Sequence, residues 1–186
     1  MQRRSRNDYF EAGLGLLAEG GAKAVTIDNL CARLGTTKGS FYHHFESGPA
    51  FMGDLLTYWE GEYSQHLAEA ALAVDDPVER LELIKQVTVD LNHEAESAIR
   101  ALARTDPVAE EVQRRIDIDR AKMMARTLRE AGVDPDEARR LGDVGLAVLI
   151  GLQQQPRPID RARVREVVGE LQSWLETRIA LASAAR

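Results

Sequence analysis

Residues 26–45 read Thr26-Ile27-Asp28-Asn29-Leu30-Cys31-Ala32-Arg33-Leu34-Gly35-Thr36-Thr37-Lys38-Gly39-Ser40-Phe41-Tyr42-His43-His44-Phe45, and they decide the fold. Ile27, Leu30, Cys31 and Leu34 recur at the i, i+3, i+4, i+7 spacing of one helical face, and Thr26 stands ahead of them as an N-capping residue. Gly35 can adopt the left-handed conformation that ends a helix, and Thr36 or Thr37 can cap the next. Phe41 and Phe45 are one turn apart, so both can point inward and leave Thr37, Lys38, Ser40 and His44 outside. Two short helices around a tight turn form a helix-turn-helix.

The same reading extends in both directions. Upstream, Phe10, Leu14 and Leu17 form the buried stripe of a helix from about Ser5 to Glu19, stopped by Gly20-Gly21. Downstream, Ser47-Gly48-Pro49 starts a helix with Phe51, Leu55 and Trp59 at four-residue intervals, predicted to run to about Ala73. Asp76-Pro77, Asp106-Pro107 and Asp134-Pro135 each set a capping carboxylate before a proline, whose missing N–H costs nothing in a first turn. Asp76 with Glu79 and Asp134 with Glu137 have capping-box spacing. The helices predicted from these signals cover 77–92, 94–104, 107–131 and 135–154. Gln155-Pro156-Arg157-Pro158 cannot be helical, and a last helix covers 160–181, with fraying from Ala182. The expected fold class is all-α, with about nine helices and an N-terminal three-helix unit.

Composition narrows the function. Net charge is -6, unfavourable for a nucleic-acid binder taken as a whole. Its distribution is uneven. Between Met1 and Glu46, Arg3, Arg4, Arg6, Lys23, Arg33 and Lys38 stand against Asp8, Glu11, Glu19, Asp28 and Glu46, so the head carries +1 and the remainder -7. Such a distribution fits a head that approaches DNA and a body turned away from it. One cysteine, Cys31, excludes an internal disulfide framework, and no secretory segment stands in front, so a cytoplasmic location is expected. Apolar runs such as Gly145–Leu152 are far short of the ~20 residues that cross a bilayer, so neither a span nor a membrane partner is expected.

The stretch from Thr26 to Phe45 resembles the helix-turn-helix of the tetracycline-repressor (TetR) family. A Thr opens the second helix, a Gly makes the turn, and a run of small residues leads to Tyr42 and, three residues on, Phe45. The upstream spacing through Gly20-Gly21 and Val25-Thr26 also fits, so the resemblance covers about the first sixty residues. It implies a helix-turn-helix DNA-binding domain over 1–47 and a helical effector-binding and dimerisation domain over 48–186. The implied function is a transcriptional regulator, a repressor released from a palindromic operator by a small molecule. Candidate DNA-binding residues are Thr26, Thr36, Thr37, Lys38, Gly39, Ser40, Tyr42, His43 and His44. Short outward side chains let a recognition helix lie deep in the major groove, and Gly39 permits close backbone approach. By resemblance Tyr42, Thr26 and Thr36 contact phosphates, which positions the protein without selecting sequence. Of the two histidines, His44 is on the better-placed face. The family usually has a lysine where this chain has Gly48, so that phosphate contact is missing, and Arg3, Arg4 and Arg6 are candidates to replace it.

Reading a palindrome needs two recognition helices about 34 Å apart, hence a homodimer. The resemblance places its interface on the last two helices, through Leu141, Val144, Gly145, Val148 and Leu152 and the stripe Val164, Val168, Leu171, Leu175 and Ile179 with Trp174. Candidate effector contacts are His66, His93, Asp90, Asn92, Trp59, Met123 and Met124, and the acidic body mildly favours a cationic or neutral ligand. No catalytic residue, metal site or cofactor is expected. The sequence has neither a Glu-x-x-His nor a Gly-rich phosphate loop, and adjacent His43 and His44 diverge on a helix. The alternative is a helical protein-interaction module with a degenerate DNA-binding head.

Overall fold

The computed structural model describes residues 4–155 and 158–184. Ten α-helices and no strand occur among them: α1 Arg6–Gly20, α2 Ile27–Leu34, α3 Lys38–His44, α4 Gly48–Glu60, α5 His66–Leu72, α6 Pro77–Asp90, α7 His93–Leu102, α8 Pro107–Glu130, α9 Pro135–Gln153 and α10 Arg161–Ala184. The Asp-Pro marks of helix starts act as anticipated. Asp76 accepts hydrogen bonds from the Val78 and Glu79 amides at 2.8 and 3.0 Å. Asp106 does the same for Val108 and Ala109, and Asp134 for Asp136 and Glu137. A reciprocal capping box joins Ser5 and Asp8 at the start of α1.

One expectation needs correction. The helix predicted from Ser47 to about Ala73 is divided by a π-helical turn, Gly61–Gln65, which gives ten helices where nine were anticipated. Gly61, a poor helix former, opens the π-helical turn, and its N–H is shared between the carbonyls of Thr57 and Tyr58. In addition, α10 continues to Ala184, past the point where fraying was anticipated. Of the segment expected to be non-helical, Gln155 and Pro158 are so, and Pro156 and Arg157 lie outside the described residues.

The chain divides into two compact units. The first comprises residues 1–61 and 92–114, the second 62–91 and 115–186. Compactness thus groups α4 and α7 with the three head helices. Aromatic rings hold the first unit: Phe10, Phe45 and Phe51 pack with centroids 4.9 to 5.9 Å apart, with Phe41 and Tyr9 beside them. α1 approaches α4 so closely that a Cβ at Gly13 would lie 2.9 Å from Leu55 Cδ2. Truncating a ring such as Phe41, fully buried, costs about 3–5 kcal/mol by creating a cavity.

In the second unit one core joins Leu81 of α6, Leu128 of α8, Leu141 of α9 and Leu175 and Ile179 of α10. Another joins Val89, Leu152, Ile159, Val164 and Val168. Much of the α10 stripe anticipated as a dimer interface is therefore core within the chain. A 3.6-residue period shows that a face is buried but not by what. The exposed large apolar residues of the last two helices are Val144, Trp174 and Leu181. Buried Arg80 ties this unit together, donating to the Val74 carbonyl and pairing with Glu130.

Candidate nucleic-acid interface

The helix-turn-helix is made by its caps. Thr26 Oγ1 accepts from the Asn29 amide at 3.1 Å, and Thr37 Oγ1 accepts from the Ser40 amide at 3.3 Å. Between them Gly35 adopts φ 61, ψ 41, a left-handed conformation that costs glycine little, and the Thr36 N–H then returns to the Cys31 carbonyl. Thr37, not Thr36, is therefore the cap of α3. Cys31 is buried, and that burial pushes its thiol pKa up, which makes it a packing residue and a poor nucleophile.

α3 has two faces. Phe41 and Phe45 are inside, at 0% and 3% exposure. Lys38, Gly39, Tyr42 and His43 are exposed on the other side. Tyr42 is 54% exposed despite its size, its ring edge-on to Phe41 at 5.5 Å. A large aromatic ring in water, carried on a rigid two-turn helix, is a common mark of a contact surface. Gly39 has no positive φ, and a Cβ there would meet only Thr37 Oγ1 at 3.7 Å, so folding does not demand glycine at this position.

Two anticipated outward residues turn partly inward. The Tyr9 hydroxyl and Ser40 Oγ are 3.1 Å apart and hydrogen-bonded, and the Tyr9 ring lies 5.6 Å from the His44 ring. Ser40 and His44 are half-buried, whereas His43 is exposed. The histidine more open to a ligand is thus His43, the reverse of the expected preference. Tyr9 itself, fully buried, was missed by sequence reasoning; its place one residue before Phe10 on α1 was the available signal.

Lys38 Nζ lies 2.6 Å from Asp28 Oδ1, both side chains largely exposed. Hydrogen bonding to Asp28 raises the lysine pKa. The arginines expected to replace the contact missing at Gly48 are partly engaged. Arg4 donates to the Leu34 carbonyl at 3.1 Å. Arg6 donates to the His44 carbonyl, pairs with Asp54 at 2.7 Å, and stacks 4.5 Å above the Phe45 ring. Arg3 lies outside the described residues. Around Gly48, a Cβ would meet nothing within 4 Å.

Of the expected effector contacts, Met123 and Met124 line a cavity in the second unit. Trp59 and His93 are buried in the first unit, Asn92 caps α7, and His66 is exposed beside Glu62. No helix among the described residues is long and apolar enough to cross a membrane.

Residues 10–47 match the family model of bacterial regulatory proteins of the tetR family. No curated protein matches the chain. Solved structures share the fold. One described as a TetR-family transcriptional regulator, from Rhodococcus sp., aligns with TM-score 0.72 and 16% identity over 94% of this chain and 98% of that one. SmeT, the repressor of the SmeDEF multidrug efflux pump of Stenotrophomonas maltophilia, aligns with TM-score 0.62 and 22% identity over 91% and 89%. A protein described as a transcriptional regulator, from Saccharomonospora viridis and solved with choline, aligns with TM-score 0.70 and 18% identity over 91% and 95%. Residues 10–47 thus resemble the head of bacterial regulatory proteins of the tetR family, and the chain shares the fold of solved structures described as transcriptional regulators of that family.

Proposed function

We propose that this protein is a DNA-binding transcriptional regulator, a repressor that leaves a palindromic operator when a small molecule binds its second unit. The observation that carries this reading is the construction of α3. Its aromatic residues Phe41 and Phe45 anchor it from within, while Lys38, Gly39, Tyr42 and His43 stand exposed on one rigid surface. Thr26, Thr36, Thr37, Ser40 and His44 complete the interface, with Tyr42 and the threonines on phosphates and Lys38 and a histidine toward base edges. Residues 1–47 carry this activity, and residues 48–186 carry effector binding and dimerisation in the cytoplasm.

Two copies are needed to span successive major grooves. Val144 of α9 and Trp174 and Leu181 of α10 are the exposed large apolar residues of the last two helices, and they supply the face for a second copy. The effector acts by its differential affinity for DNA-competent and DNA-released states. SmeT and the choline-bound regulator offer precedents for repression and for a small ligand on this fold.

One observation favours the interaction-module reading. Lys38 is matched by Asp28, and position 48 has no charge, so few cations of the head are uncommitted. Selection of genomic fragments by the purified protein separates the two. Regulator function predicts enrichment of a palindrome, bound by a dimer. Enrichment of no sequence, with the protein folded, would favour the interaction module.

A further inference from the structure

Helices α5, α6, α8, α9 and α10 line a cavity of about 100 Å³ in the second unit. Its wall is mainly aliphatic, including Leu81, Ile84, Leu146, Leu149 and Leu171. A more polar hollow of about 300 Å³, bounded by Gln65, Glu69, Lys122 and Arg126, shares Ala68, Asp119 and Met123 with it.

The few polar side chains on the wall differ in how they are satisfied. Thr88 donates to the Ile84 carbonyl at 2.7 Å, and Lys85 is 2.5 Å from Glu82. Gln172, 7% exposed, donates through Nε2 to Glu82 at 2.8 Å and to Glu176 at 2.7 Å. Ionised carboxylates only accept, so these two fix which end of the amide is nitrogen. The other end, Oε1, is a buried acceptor without a hydrogen-bond partner among the described residues. A buried acceptor in apolar surroundings favours any ligand that brings it a donor.

We propose that the cavity takes a small, uncharged, largely apolar alcohol or phenol whose hydroxyl donates to Gln172 Oε1. This rests on the regulator reading, in which the second unit holds the effector. A quaternary ammonium is disfavoured because no aromatic ring is among the described lining residues, whereas Lys85 and Arg120 are. An anion drawn to Lys85 would have to displace Glu82, and one in the cavity would lie near Asp119. A cavity of this order suits a single ring or a short chain.

Calorimetric titration of the full-length protein, without DNA, with phenol, toluene, benzoate and benzyltrimethylammonium tests the class. Phenol is expected to bind about tenfold tighter than toluene, as one satisfied buried acceptor implies, and neither ion to bind better than toluene. Gln172→Leu and the near-isosteric Gln172→Met, checked for folding by circular dichroism, should abolish the preference for phenol and leave toluene within about threefold. Equal binding of phenol and toluene, tighter binding of either ion, no binding by any probe, or a phenol preference that survives in both variants would overturn the proposal. Fragment selection is read separately. Phenol discrimination without DNA enrichment removes the regulator reading and keeps the cavity's chemistry, whereas DNA enrichment without phenol discrimination does the reverse.

Discussion

The Lys38 ammonium of α3 is held by Asp28 of α2 at 2.6 Å, so the exposed cation of the proposed recognition helix carries an intramolecular counter-charge. The pair is largely solvated, and such pairs contribute little to stability. Its effect is on DNA. A phosphate or base acceptor must compete with Asp28 for Lys38, and Asp28 itself repels the duplex. Asp28→Asn should therefore tighten DNA binding by about two- to fivefold at low salt, with the gain shrinking as salt rises and the melting temperature nearly unchanged. Anisotropy titrations at two salt concentrations check this, and weaker binding by the variant would contradict it.

Gly39 separates folding from function. A Cβ there meets only Thr37 Oγ1, at an ordinary contact distance. Gly39→Ala should keep or raise stability, by roughly 0.5 kcal/mol from the lower entropy of the unfolded chain, while weakening DNA binding at least tenfold if the backbone approaches the groove. Urea denaturation and DNA titration on the same preparation check both halves. Unchanged DNA affinity would remove the close approach.

Gly48 is where the resemblance to the TetR family lapses, and the surrounding space is open. Gly48→Lys should restore one phosphate contact, making the slope of log affinity against log salt steeper by about 0.9. An unchanged slope would show that position 48 does not approach the duplex.

Acid should weaken the second unit through two carboxylates. Hydrogen bonds from Arg126 and then Arg80 lower the Glu130 pKa from 4.5 to about 2. Those from Lys85, Gln86 and Gln172 lower that of Glu82 from 4.5 to about 2. A depressed folded-state pKa gives stability that is present above the unfolded value and is lost as pH falls through the folded one. The loss should therefore fall between about pH 4.5 and about pH 2. Glu82→Gln with Glu130→Gln should lower stability at neutral pH and flatten this acid limb, as followed by denaturation across pH. An equally steep limb in the double variant would place the acid sensitivity elsewhere.

Much of the fold was legible because it is written in local chemistry. Asp76, Asp106 and Asp134 cap the helices that their prolines announce, and Gly35 makes the turn. What escaped depends on how helices cross. On a two-turn helix, periodicity alone could not show that Tyr9 would draw Ser40 and His44 partly inward. The pairing of Lys38 with Asp28 joins residues ten apart on different helices, which no spacing rule covers. The α10 stripe was seen as buried, but its partners in α6, α8 and α9 were not. Gln172 was hidden for the same reason, since five helix faces define the cavity it lines.

The most direct measurement is titration of the enriched DNA fragment, and of its single-base-pair variants, with the wild type, Lys38→Ala and Tyr42→Phe. An α3 that reads DNA predicts that both substitutions weaken binding, Tyr42→Phe by about the same factor on every sequence and Lys38→Ala with altered base preference. Unchanged affinity in both variants, with both proteins folded, would contradict a recognition role for α3.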